Sequence, residues 1–406
     1  MIQKTGRMHP VGSLTALGDA VALIDELKVT PLPPVRTDLI HALGKVSYSQ
    51  YANAKPVPRF PRATFDGYAL RSSDTVNASS INPVSLKVIG VSKPGSPFLG
   101  NVGPLEAVEI LTGGLVPNGA DAVVMVEKTL KNHRKLLVSE PVNPGACMDP
   151  VGADIETDHI IIRAGEQIGL GHVMALASQG VVSIAIAPSP KVLLVPTGDE
   201  IKEPGSRLSG SQIYDSNTPA LTSLLEKWGC RVYLHKPLRD RPELFEGLLR
   251  KASRYDLVVF TGGSSAGSED YLEESVAKVG RVLVHGVAIN PGRPTLVGMA
   301  AGVPVVGVPG HPSSSMAVGY MVLKPVLERI IGFRIPETVL ELSLGVDVEL
   351  DRHMTYFRPA KLVDGHVYPT YRGSSMISSF LGAQGYFLAE GPRDFRAGDT
   401  VLFHFF

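Results

Sequence analysis

The chain carries no surplus of either charge. Its 406 residues include 39 Lys+Arg and 39 Asp+Glu, a formal net charge of zero. A general nucleic-acid coat or a polybasic membrane binder needs a basic excess, so no nucleic-acid or membrane partner is expected. Cysteine is scarce: Cys147 and Cys230 stand far apart and form neither a CxxC pair nor a metal-ligand cluster. Two reduced thiols in a cytoplasmic protein fit better than a disulfide framework. No window approaches the roughly 18 uncharged apolar residues of a membrane span. The apolar stretch Leu14 to Leu27 is broken by Asp19, Asp25 and Glu26, which makes an amphipathic helix and not a signal peptide. Also missing are a Ser-His-Asp order, HExxH, GxxxxGK[ST] and a GxGxxG after a strand. Trp228 is the single tryptophan and is expected in the core.

Glycine and proline, by contrast, are abundant, at 42 and 32 residues, and they gather in a few loops. At roughly 100–200 residues per domain, the length suggests about two to four domains. Leu17, Val21, Ile24 and Leu27 have helical spacing, and a second helix is expected over 37–46. Pro56, Pro58 and Pro61 make an extended connector. Residues 64–150 hold short strands separated by Asn, Pro and Gly, consistent with a compact β domain. A helix over 170–180, ending at a Gly cap, is expected to pack back on the N-terminal helix. That makes the β domain an insertion into a helical one. From Lys191 onward strands alternate with helices, the pattern of a parallel sheet covered on both faces. The last 70 or so residues return to strands and read as a small β-barrel or sandwich.

Open α/β sheets bind ligands at the C-terminal ends of their strands, and three Gly/Pro loops fall there. Phe260-Thr-Gly-Gly-Ser-Ser-Ala-Gly-Ser-Glu-Asp270 offers close backbone approach, hydroxyls and a helix start. Gly307-Val-Pro-Gly-His-Pro-Ser-Ser-Ser315 opens another helix. Ile289-Asn-Pro-Gly-Arg-Pro-Thr295 fixes Arg293 between two prolines, which suits a guanidinium for oxyanion contact. Each loop alone reads equally as a tight turn or a capped helix; together they favour a phosphate-bearing ligand. Acidic turns lie at Asp66, Asp154, Asp199-Glu200, Asp215 and Asp270. Carboxylates beside a phosphate site suit Mg²⁺, although any one of them could be a turn or cap residue. Asp66 and Asp270 belong to different domains, so domains or subunits would have to close around the ligand.

Eight segments then fall in one familiar order. They are Phe65-Asp-Gly-Tyr-Ala69, Pro117-Asn-Gly-Ala-Asp-Ala-Val-Val124, Gly152-Ala-Asp-Ile155, Pro196-Thr-Gly-Asp-Glu200, Ile213-Tyr-Asp-Ser-Asn217, Thr261–Gly267 with Asp270-Tyr271, Pro291-Gly-Arg-Pro294 and Pro309-Gly-His-Pro312. Over residues 10–406 the chain resembles the MoeA-type molybdopterin molybdenumtransferases and the gephyrin E domain. The resemblance implies a multidomain α/β plus β fold. Its parts would be a helical linker domain (1–52 and 152–186), an inserted β domain (53–151), a three-layer molybdopterin-binding α/β domain with a parallel sheet (187–333) and a C-terminal β-barrel-like domain (334–406).

The resemblance also implies a reaction. Molybdate, as substrate, is inserted into adenylylated molybdopterin with Mg²⁺, and AMP is released. The active site would lie at the subunit interface of a homodimer. Carried over by motif, Asp66, Asp154, Glu200, Asp270 and Arg293 would be catalytic, with Glu200 and Asp270 on the metal. Thr112, Thr197, Gly262, Gly263, Ser265, Gly267, Pro291, Gly292, Pro309, Gly310, His311, Ser313, Arg358 and Ser379 would contact substrate. The family's usual Lys-Pro-Gly-Lys-Pro is Asn290-Pro-Gly-Arg-Pro294 here, its Pro-Gly-Asn-Pro carries His311, and its Asp-Asp pair is Asp240-Arg241. Those departures leave open a pterin-binding scaffold without turnover or a tungstate-inserting paralogue. A hydrolase sharing only the α/β domain is the remaining alternative.

Overall fold

The computed structural model describes residues 14–262, 271–350 and 352–406. The chain forms two compact units, Thr37–Ile184 and a second made of the residues up to Arg36 with Ala185–Phe406.

The larger unit is organised by a six-stranded sheet. Its order is Arg231–Leu234, Lys191–Pro196, Leu257–Thr261, Val303–Val308, Leu296–Ala300, Gly280–His285. The first four strands are parallel; Leu296–Ala300 runs against them, and Gly280–His285, antiparallel to that strand, again runs with the first four. The expected parallel sheet therefore contains one antiparallel strand. The physical reason is the short Ala301-Gly302 turn between Leu296–Ala300 and Val303–Val308, in which both residues have positive φ. A two-residue turn can join only antiparallel strands.

Alternation along the strands decides what each face buries. Val192, Leu194, Leu257, Val259, Val306 and Val308 face one core, with Leu221 and Leu225 of the helix Asn217–Lys227 and Val326, Leu327 and Ile330 of the last helix. Leu193, Val195, Val258, Phe260 and Val305 face the other, against Phe245 and Leu249 of Pro242–Leu249 and Leu272 and Val276 of Tyr271–Val279. The last helix runs from Pro312 to Ile331 and widens to π geometry over Gly319–Leu323.

Ala20, Ile24 and Leu27, in and just after the helix Leu17–Asp25, are buried in the first of these cores. The buried face of the N-terminal helix is thus part of the larger unit's core. An apolar stripe shows that a helix is buried, but not against what. The expected 37–46 helix is absent. Val35–Asp38 is a strand and only Leu39–His41 makes a 3₁₀ turn. The Leu39 amide donates to the Val182 carbonyl, and Gly44 turns the chain at φ 78°, so nothing propagates a first helical turn.

The smaller unit holds a second six-stranded sheet, ordered Ala122–Met125, Gly67–Leu70, Glu106–Ile110, Val84–Ser92, Lys135–Val138, Thr129–Asn132. It also holds the helix Leu170–Ser178. These strands carry the β domain expected over 64–150.

Within the larger unit, the C-terminal β sheet runs Ile289–Asn290, Thr355–Val363, Gly385–Glu390, Thr400–Phe405, Val339–Ser343. Its first strand belongs to the Pro-Gly-Arg-Pro loop, so that loop is hydrogen-bonded into the C-terminal sheet. Tyr320, on the π turn, meets Trp228 edge-on at 5.4 Å and lies 5.0 Å from Tyr386 and 5.4 Å from Phe406. A polar network reinforces the same junction. Glu337 accepts hydrogen bonds from Lys324 Nζ at 2.9 Å and His404 Nδ1 at 3.4 Å. Glu328 accepts from Arg334 at 2.7 Å and from the Ile335 amide at 2.9 Å.

Two outcomes follow for stability. The His404 contact, then Lys324, holds the Glu337 carboxyl down to about 2 from an ordinary 4.5. A depressed carboxyl stabilises the fold above its unfolded pKa, and that contribution disappears as pH falls towards 2. The melting-temperature gap between wild type and Glu337→Gln should therefore be full at neutral pH and close between pH 4.5 and 2. A gap constant across that window would show that the network contributes nothing. At Gly292 (φ 125°) an added Cβ would stand 2.8 Å from both Ile289 Cδ1 and Val318 Cγ2. Gly292→Ala should destabilise the protein by about 2 kcal/mol in urea unfolding; a loss below about 0.5 kcal/mol would show that those side chains give way.

Candidate active site

The loops at the C-terminal ends of the parallel strands converge on one cleft of about 700 Å³. Convergence begins with backbone contact. The Thr197 amide donates to the Thr261 carbonyl at 2.9 Å, and Gly262 N–H donates to the Val308 carbonyl at 2.9 Å. Gly262 has φ 89°, and a Cβ there would lie 2.9 Å from the Thr197 carbonyl oxygen. Only glycine lets these three strand ends approach so closely. Asn217 ties in a fourth segment, donating from Nδ2 to the Gly310 carbonyl at 2.7 Å.

Thr197, Glu200, Gly262, Pro291, Gly292, Arg293, Pro309, Gly310 and His311 all line this cleft, as the expected ligand loops do. Gly263, Ser265, Gly267 and Asp270 lie outside the described residues. Three other residues expected to contact substrate make hydrogen bonds within the fold. Ser313 is buried, with its hydroxyl donating to the Met376 carbonyl at 2.9 Å. Ser379 is buried, its Oγ accepting from the Arg372 amide at 3.0 Å. Arg358 Nη1 donates to the Asn290 and Phe357 carbonyls, both at 3.2 Å. None of the three lines the cleft. Each satisfies backbone groups of the segments that do.

Several lining residues carried no strong sequence signal. Tyr371 and Ser374 come from the C-terminal β part, and Ser314 follows the expected Ser313. Asp240 stood out only as half of an altered Asp-Asp pair. Asp215 is a cap, accepting from the Asn217 and Thr218 amides at 3.1 and 3.0 Å.

The charge balance inside the cleft differs from that of the whole chain. Arg293 is the one Lys or Arg among the described lining residues, against Glu200, Asp215 and Asp240. Burial, then the negative charges of Asp199 and Glu200, push the Asp240 carboxyl above the ordinary range. Its Oδ1 is buried with no hydrogen-bond partner. A buried, unpartnered carboxylate oxygen facing another acid is a donor set that suits a hard cation. Among the described residues no group of three His, Cys, Asp or Glu forms a complete metal cage. Mg²⁺ needs none, since it takes one or two carboxylates with water and substrate oxygens.

In the smaller unit, Asp66 and Thr112 form an exposed pair. The Thr112 amide and hydroxyl both donate to Asp66 Oδ1 at 2.7 Å. These bonds, the amide first, hold the Asp66 carboxyl below its usual range. Asp154 is exposed, its amide donating to the Val57 carbonyl at 2.9 Å.

Comparison with known proteins agrees along the chain. Residues 15–180 match the MoeA N-terminal region (domain I and II), 193–329 a probable molybdopterin binding domain, and 341–406 the MoeA C-terminal region (domain IV). A molybdopterin molybdenumtransferase of Staphylococcus aureus is 29% identical over 384 residues, covering 91% of this chain and 90% of the relative. The crystal structure of a molybdopterin biosynthesis MoeA protein from Pyrococcus horikoshii superposes with a TM-score of 0.85 at 31% identity, covering 97% of this chain and 99% of that one. A second from the same species reaches 0.82 at 26% identity, covering 97% of this chain and all of that one. With its three regions matched in order and a relative above 30% identity over nearly its whole length, the chain belongs to the MoeA family of molybdenum cofactor biosynthesis enzymes.

Proposed function

We propose that this protein inserts molybdate into adenylylated molybdopterin, with Mg²⁺, and releases AMP. The observation that carries the proposal is the pairing, in one cleft, of an unpartnered Asp240 carboxylate with the Pro291-Gly-Arg-Pro294 loop. One suits a cation, the other an oxyanion. Backbone N–H groups and hydroxyls on the Thr197, Gly262 and Gly310 loops would orient the phosphate-bearing substrate. Arg293 would meet the oxyanion. Glu200 and Asp240 would hold Mg²⁺, which when bound supplies positive charge against the phosphate oxygens. Asp270, carried over from the family motif, would join them.

A homodimer, cytoplasmic and with Asp66 and Asp154 completing the partner's active site, belongs to the same proposal. It is supported by an exposed apolar group on the smaller unit. Ile40, Leu43, Leu170, Met174 and Val182 are each more than half exposed. Leu170 and Met174 share one helix face at i, i+4, and a cluster of this kind marks an interaction surface. Met174→Glu should shift the sedimentation coefficient from dimer to monomer; a monomeric wild type, or a variant that stays dimeric, would remove this part of the proposal.

The activity is tested by mixing protein, adenylylated molybdopterin, molybdate and Mg²⁺ and measuring AMP by chromatography. AMP should appear only when both molybdate and Mg²⁺ are present. Pterin binding with no AMP would point to the scaffold alternative instead. Asp240→Asn should slow AMP release by at least about tenfold, the scale of losing one metal or positioning ligand. Its thermal stability should match or exceed wild type, because a carboxyl with a raised folded pKa destabilises the fold above its unfolded pKa.

A further inference from the structure

Arg358 sits behind the cleft wall in an unusual setting. Its guanidinium carbon lies 4.6 Å from the Tyr356 ring centroid and 4.4 Å from that of Tyr371. Tyr356 is buried on the strand Thr355–Val363. Tyr371 lines the cleft from the opposite loop. Through Nη1 the same guanidinium reaches the Asn290 carbonyl at 3.2 Å, and Asn290 is the residue registered against Tyr356 in the parallel pairing of the two strands. One side chain thus touches both the Pro-Gly-Arg-Pro loop and the loop carrying Tyr371.

Each loop also has backbone anchors of its own. The Tyr371 loop is held at its start by Ser379, whose carbonyl accepts from Thr370 Oγ1 at 2.6 Å and whose hydroxyl accepts from the Arg372 amide. It is held at its end by Ser313, whose amide donates to the Ser374 carbonyl at 2.9 Å and whose hydroxyl donates to the Met376 carbonyl. The Pro-Gly-Arg-Pro loop is closed by the Arg293 carbonyl, which accepts from the Val287 and Thr295 amides at 3.0 and 2.8 Å. Between these anchors the Tyr356–Arg358–Tyr371 stack is a bridge. A planar guanidinium can stack on two rings and still donate in its plane, which an ammonium cannot.

We propose that Tyr356 and Tyr371 are positioning residues: by clamping Arg358 they couple the 287–296 and 370–376 segments, so that Arg293 and the facing wall of the cleft move as one. The coupling itself stands on geometry alone. Its catalytic consequence, tighter use of the molybdate oxyanion, rests on the metal-insertion reading above.

Hydrogen exchange followed by mass spectrometry on the full chain tests the coupling without any turnover. Tyr371→Leu removes one ring face and should speed exchange in both segments by about fivefold or more, the scale of losing a desolvated cation–π contact. The helix Tyr271–Val279 should be unchanged. Tyr371→Phe keeps the face and should recover wild-type exchange in both segments. Arg358→Lys keeps the charge but loses the plane, and should loosen both segments even if the Leu variant does not fold. Faster exchange in 370–376 alone, or in neither, overturns the proposal. In the AMP assay Tyr371→Leu should raise the KM for molybdate about fivefold with a smaller effect on kcat, and Tyr371→Phe should restore it. A wild type that releases no AMP would refute the metal-insertion reading, while the exchange result would still decide the coupling.

Discussion

Burial of the larger sheet on both faces constrains everything else in that unit. Val192 and Leu194 are committed to one core, Leu193 and Val195 to the other, so no side chain of that strand's centre is available for chemistry. Polar function is pushed to the strand ends, where the backbone emerges from the two cores. There the strands are close enough that Gly262 is packed against the Thr197 carbonyl. The cleft lies at the strand ends of this sheet, in loops where Gly262 and Gly292 are packed too tightly to carry a side chain. This explains the concentration of glycine and proline better than flexibility does. At Gly292 and Gly262 a side chain would collide with neighbours already in place.

The balance of charge follows from the same constraint. Under the proposed function, a chain with no net charge would recognise its anion through a few oriented dipoles and one placed cation rather than a basic surface. Arg293 is that cation among the described lining residues. Glu200 and Asp240 work against anion binding unless a divalent ion stands between them and the phosphate. The raised Asp240 carboxyl shows the strain in electrostatic terms. The smaller unit shows the opposite regime at Asp66, where two Thr112 hydrogen bonds keep an exposed carboxylate ionised.

How much was legible in the sequence depends on the range over which each signal acts. Local patterns read well. The strand beginning at Lys191, the helix opened by Asp215 and the C-terminal strands near Thr355 and Thr400 stand where composition and turn residues put them. Position relative to distant segments did not read. The N-terminal helix shows an apolar stripe, yet its partner, the helix ending at Ile331, lies about 300 residues away. One strand of the larger sheet, Leu296–Ala300, runs against the others because of one tight turn, a detail that the alternation of strands and helices does not encode. Among site residues, motif loops such as Pro291–Pro294 were visible. Tyr371 and Ser374 were not, because they enter the cleft from another sheet. Ser313, Arg358 and Ser379, expected by motif to contact substrate, hydrogen-bond to backbone groups that frame the cleft. A polar residue near a site by motif can serve either the ligand or the backbone that frames it, and only geometry separates the two.

That distinction explains the division of labour between the α/β and C-terminal parts of the larger unit. The α/β loops supply most of the groups that line the cleft, but their ends take support from the C-terminal sheet. Asn290 has its strand partner in the C-terminal sheet, and Ser313 its hydrogen-bond partners in the 374–376 segment. The aromatic contacts of Tyr320 and the Lys324–Glu337–His404 network hold that sheet against the last helix over a wide area. A cleft built this way has its precision set from outside its own domain. Fixing two loops by one rigid body costs less conformational entropy than ordering each separately, because the C-terminal sheet is already folded around Phe387 and Phe403. The placement of Arg293 in the cleft wall is then inherited from a hydrophobic core that lies outside the cleft.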